Sequence, residues 1–172
     1  MRKRTLLTAL ALAPLATLTA CGFRLRGVPQ FGFRSLYVQA PAGSLLAREL
    51  RRTLQGAGTG LTLLTEPAQM PQAEAIFELL SEQQERVVVG LNASGQVREL
   101  QLRLRVRFRL RDPQGREWIA DTEMLQQRDI SYNETIALSK EGEEALLMRN
   151  MRTDLVQQIM RRLAAVKTGA TP

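Results

Sequence analysis

The chain has 172 residues, 44% hydrophobic and 24% charged, which is enough for one domain with an apolar core and ordinary for a folded globular protein. It contains no histidine and one cysteine, which excludes the commonest general base, the commonest metal ligand, a Cys-dependent metal site and an intramolecular disulfide. The formal net charge is +7, but Arg2, Lys3 and Arg4 carry three of the cations, and removing residues 1–20 leaves a chain near +4.

Residues 1–20 have the three parts of a secretory leader: the basic start at 2–4, an apolar run from Leu6 to Leu18 broken by Pro14, and the small residue Ala20 before the cut. The run is too short to span a bilayer, and no later segment is long and apolar enough to do so. Export takes the domain away from nucleic acid. Since part of the basic balance belongs to the leader, the high pI does not argue for a nucleic-acid partner. Leu18-Thr19-Ala20-Cys21 resembles the bacterial lipobox. Its chemistry needs the thiol of Cys21 to take a diacylglycerol, and cleavage before Cys21 frees an amine for a further acyl chain. Two or more chains give stable anchoring, at ~0.8 kcal/mol per buried methylene. An Asp after the cysteine is the usual inner-membrane retention signal of lipoproteins, so Gly22 points to the outer membrane.

Residues 21–34 read as a lipidated N-terminal tether that docks on the domain, 35–166 as the single folded domain, and 167–172 as a flexible tail. Ser35–Gln39 is a short strand ended by Ala40-Pro41. Ser44 caps a helix in which Leu46, Leu50 and Leu54 stack at spacing four, and Gly56 and Gly58 stop it. Leu61–Thr65 has the composition of a short strand, and Glu66–Gln72, with two prolines, reads as a loop. Residues 75–91 form a strand or a strand with a bulge, and Asn92-Ala93-Ser94-Gly95 a turn. Leu100, Leu102, Leu104, Val106, Phe108 and Leu110 then alternate with polar residues, which makes a strand with one buried and one wet face. Asp112-Pro113-Gln114-Gly115 is a turn, and Trp118 to about Ser131 is the last strand of an antiparallel meander.

Residues 132–141 read as a connection. The last helix starts near Lys140–Glu143 and runs to about Val166, with Met148, Met151, Leu155, Ile159, Leu163 and Val166 on one stripe. Two amphipathic helices need an apolar sheet face to cover. The expected fold is therefore α+β: a two-layer sandwich of order β-α-β-β-β-α, with a four-stranded, mostly antiparallel sheet and two helices on one face.

Two features carry candidate chemistry. Arg103, Arg105, Arg107, Arg109 and Arg111 share one side of their strand. The guanidinium fork suits phosphate, and five like charges at alternate positions repel unless an anion relieves them. The alternative is a solvated face in an Arg-rich chain. Glu117, Asp121 and Glu123 are a carboxylate group on a neighbouring strand, better explained by cross-strand pairing with arginine than by acid chemistry. No catalytic residue, metal or cofactor is expected.

Cys-Gly-Phe-Arg-Leu-Arg-Gly (21–27), Asn92–Leu100, Arg128–Asn133 and Ala137–Glu141, in that order and spacing, resemble the LPS-assembly lipoprotein LptE family. The resemblance implies the same four-stranded fold with two helices. It implies a non-enzymatic outer-membrane role as plug and assembly partner of the LptD β-barrel, on the periplasmic side and in the barrel lumen, in contact with lipopolysaccharide. It also makes Lys140, at a basic position opening the last helix, a lipopolysaccharide-contact candidate. The hairpin position where some members carry a basic residue falls near Ala93, with Arg98 or Arg103 as the substitute; Arg105 and Arg107 of the stripe complete the candidate set. Two other readings stay open: an independent periplasmic lipoprotein that binds another anionic envelope component, and a carboxylate-based envelope hydrolase.

Overall fold

A computed structural model describes residues 29–132 and 137–167, with side chains from 141 onward in the second stretch. The chain runs β1 (Ser35–Gln39), α1 (Leu45–Gly56), β2 (Thr62–Leu64), a 3-10 turn (Pro67–Gln72), β3 (Ala75–Leu91), β4 (Val97–Arg111), β5 (Glu117–Ser131) and α2 (Ala137–Ala165). The leader, Cys21 and the last five residues lie outside the described residues.

The sheet has five strands, in the order β2-β1-β3-β4-β5, rather than the four expected. The extra member is β2, which pairs parallel with β1 through Ser35↔Thr62 and Tyr37↔Leu64. β1 is also parallel to β3, whereas β3, β4 and β5 form the antiparallel meander. The sheet is therefore mixed. Parallel neighbours need a crossover, and α1 supplies the one between β1 and β2. The segment expected to be a loop before β3 closes into the 3-10 turn, with a capping box on Glu66 and Gln69.

Each long element forms for a local reason. Ser44 sits at the α1 N-cap, where its hydroxyl accepts from the Ala47 N–H at 3.0 Å. Leu46, Leu50 and Leu54 are buried on one face of α1. In β4 the alternation is complete: Leu100, Leu102, Leu104, Val106, Phe108 and Leu110 are buried, and the residues between them are not. The hairpin turn closes by Asn92 N–H to Gln96 O and Gly95 N–H to Asn92 O, each at 2.9 Å, with Gly95 at φ 80°. α2 begins at Ala137, a turn earlier than the sequence suggested.

One continuous core joins Leu36 and Val38 of β1, Phe77 and Leu79 of β3, the β4 series, Leu50 of α1, and Met151, Leu155, Ile159 and Leu163 of α2. Both helices thus cover the same sheet face, as expected. Phe33 is buried as well, stacked on Phe31 at 5.5 Å and tilted against Trp118 at 6.0 Å. The end of the expected tether is therefore part of the core.

A β-bulge between Leu79 and Ser81 sets which residues the helices meet. Before it, Phe77 and Leu79 face the helices; after it, Glu82 pairs with Val106 and Arg86 with Leu102, so the even-numbered residues take that face as far as Val88. Glu82 then reaches the start of α1, accepting from the Ser44 hydroxyl at 2.6 Å, and Arg86 pairs with Glu144 of α2 at 3.1 Å.

Candidate functional site

The arginine stripe lies on the sheet face opposite the helices, as its parity requires. Acids from both flanking strands interleave with it. Arg105 pairs with Glu123 and Arg107 with Asp121, both on β5. These are diagonal pairs, because the direct register opposes Arg105 to Leu125 and Arg107 to Glu123. Arg109 bridges Glu78 of β3 and, at 3.4 Å, Glu117 of β5. Arg111 holds Glu78 from the other side, its Nε 2.7 Å from Oε1. Arg103 has no acid partner among the described residues: its Nε donates to Gln101 Oε1 at 2.7 Å, and Gln101 in turn donates to Asp129 at 2.9 Å.

Glu78 is the anchor of this ladder. It is 6% exposed and held by two guanidiniums. Burial by itself pushes its carboxyl up; the hydrogen bonds from Arg111 and Arg109 outweigh that and hold it below the usual carboxylate range. The partners respond in kind: Asp121 raises the pKa of Arg107, and Glu78 that of Arg109. For Arg105, Arg107, Arg109 and Arg111 the mutual repulsion is therefore answered within the protein, and Glu117, Asp121 and Glu123 have the cross-strand role expected of them.

The candidate contacts divide between two places. Arg103, Arg105 and Arg107 lie on the open sheet face. Arg98 lies at the outer end of the β3–β4 hairpin and is exposed. Its carbonyl accepts from the Tyr132 N–H at 2.8 Å, so this end of β4 lies beside the end of β5, from which the chain leads into α2. Lys140 occupies the first turn of α2, and its side chain lies outside the described residues. Cys21 also lies outside them. Sequence reasoning missed the charged contacts on the helix side, Glu82 to Ser44 and Arg86 to Glu144. The signal was the break in alternation along 75–91, but the position of the bulge depends on pairing with β4.

Among the described residues no group of three or more acids or cysteines is placed to hold a metal ion, and no helix is long and apolar enough to cross a membrane.

This architecture defines a class of protein: a two-layer α+β domain with a mixed sheet, helices on one face and a charge-paired outer face. The family described as "LptE: Lipopolysaccharide-assembly" matches residues 33–163. The "LPS-assembly lipoprotein LptE" of Yersinia enterocolitica is 30% identical over 170 residues, covering 96% of this chain and 78% of that protein. The protein of the same name from Photorhabdus laumondii is 29% identical over 171 residues, covering 96% and 88%. Among solved structures, an "uncharacterized lipoprotein B" from Nitrosomonas europaea superposes with a TM-score of 0.71 at 32% identity, over 84% of this chain and 91% of that one. The chain belongs to the LptE family of lipopolysaccharide-assembly proteins.

Proposed function

We propose that this protein is an outer-membrane lipoprotein, anchored through acyl chains on Cys21, that associates with and plugs an LptD-like β-barrel. In that position it assists assembly of the barrel and passage of lipopolysaccharide to the outer leaflet, and it touches lipopolysaccharide on the way. The observation that carries the reading is the family match across residues 33–163. The paired outer sheet face supports it: a face whose charges already satisfy one another can lie against a polar barrel wall without leaving a buried charge unmatched.

For the lipopolysaccharide contact, the end of the molecule carrying Arg98 and Lys140 is favoured over the stripe. Arg98 meets no carboxylate among the described residues, whereas Arg105 and Arg107 would have to leave Glu123 and Asp121 to take a phosphate. The test is retention of lipopolysaccharide by the full-length lipoprotein in detergent. Arg98→Glu combined with Lys140→Glu is expected to lower retention about tenfold or more, the scale of a lost charge-assisted contact. Equal retention by wild type and variant would place the contact elsewhere.

A further inference from the structure

The two helices meet on the surface in a cleft of about 660 Å³ between α1 and α2. Four arginines line it: Arg48 and Arg52 from α1, and Arg149 and Arg152 from α2. The spacings i, i+4 and i, i+3 put each pair on one face of its helix, so the two basic faces look at each other. The one acid in the lining is Glu49, which is engaged, accepting from the Thr153 hydroxyl at 2.6 Å across the cleft.

Most arginines on the sheet and its turns are paired with acids, Arg98 and Arg103 being the exceptions among the described residues. Arg86, Arg105, Arg107, Arg109, Arg111, Arg116 and Arg128 each meet a carboxylate within salt-bridge distance. Among the described residues Arg48, Arg52 and Arg149 meet none. Arg152 is largely buried, its side chain 12% exposed, and its nearest acid is Glu82, 4.0 Å from Nε. Glu82 is already committed to the start of α1, accepting from the Ser44 hydroxyl at 2.6 Å and the Leu46 N–H at 3.3 Å. Arg152 Nε is left buried without a hydrogen-bond acceptor. A buried donor without a partner is uncommon in a folded protein, and like charges converging on one cleft cost stability unless an anion joins them.

We infer that this cleft is a binding site for a phosphate ester carried on the headgroup of an envelope lipid. Guanidinium forks match phosphate oxygens bidentately, and their charge does not titrate away. The cleft is far larger than one phosphate, so it has room for the sugar or glycerol to which the phosphate is attached. It lies between the helices, apart from the hairpin end proposed to touch lipopolysaccharide. It also does not depend on the barrel, so either reading can fail while the other stands.

The experiment is phosphorus NMR on the full-chain lipoprotein in detergent micelles, titrated with glucosamine 1-phosphate and, separately, with glycerol 3-phosphate. Saturable broadening of either signal supports the site, and the preferred compound tells a glycolipid headgroup from a phospholipid one. Arg48→Gln combined with Arg149→Gln, both exposed and unpaired, should weaken binding about tenfold or more with an unchanged circular dichroism spectrum. Arg161→Gln, exposed near the C-terminal end of α2 and outside the cleft lining, should leave binding unchanged. The proposal is overturned if neither phosphate binds saturably, if the double variant binds as wild type does, or if Arg161→Gln weakens binding as much as the double variant.

Discussion

Glu78 shows how far one residue's setting departs from what its type suggests. It is a carboxylate on the wet face of a sheet, yet it is buried and clamped between Arg109 and Arg111. Its folded-state pKa lies below the ordinary value, so it contributes stability that is fully present above the unfolded pKa of about 4.3 and lost as pH falls through the folded value. Glu78→Gln is expected to destabilise the fold at neutral pH by roughly 1–3 kcal/mol. The difference between wild type and variant should shrink as the pH of a denaturant titration is taken below about 4. A variant as stable as wild type at neutral pH would show that the clamp contributes nothing. At Cys21 the expectation is chemical: Cys21→Ala should abolish incorporation of a palmitate analogue, and persistent labelling would place the acylation at another atom.

At the scale of elements, what could be read from sequence depended on how many residues repeat a pattern. α1 was legible because its cap and three leucines agree, and β4 because its alternation runs from Leu100 to Leu110 without a break. β2 was legible as a short strand from the composition of Leu61–Thr65, but three residues have no room for a period, and its place in the sheet is set by pairing with β1. The face of residues 81–88 could not be read because a bulge after Leu79 reverses the parity of β3, and the register shifts again between Val88 and Leu91. The stripe itself was legible, but its neutralisation was not. The acids that answer it come from β3 and β5, and the diagonal partners depend on register. α2 is 29 residues long, about 43 Å, and its buried residues run from Met148 to Leu163. Its stripe holds the two layers together. Leu155→Ala, at a site with no exposure, should cost 2–5 kcal/mol, the range for leucine truncation in a packed core. A loss below 1 kcal/mol in chemical denaturation would mean that α2 packs loosely.

For the whole molecule, three surfaces follow from one architecture. The sheet's open face pairs four of its arginines with acids, the hairpin end carries Arg98 beside Tyr132, and the helix side carries a cluster of arginines around one cleft. A domain with this distribution can rest one face against a polar wall while the others stay available to an anionic lipid. If the wall belongs to an outer-membrane barrel, affinity purification of the tagged, full-length lipoprotein from outer membranes solubilised in mild detergent yields a one-to-one complex with a large β-barrel that resists dissociation. Recovery of the lipoprotein alone, with its depletion leaving the level of that barrel unchanged, would contradict it.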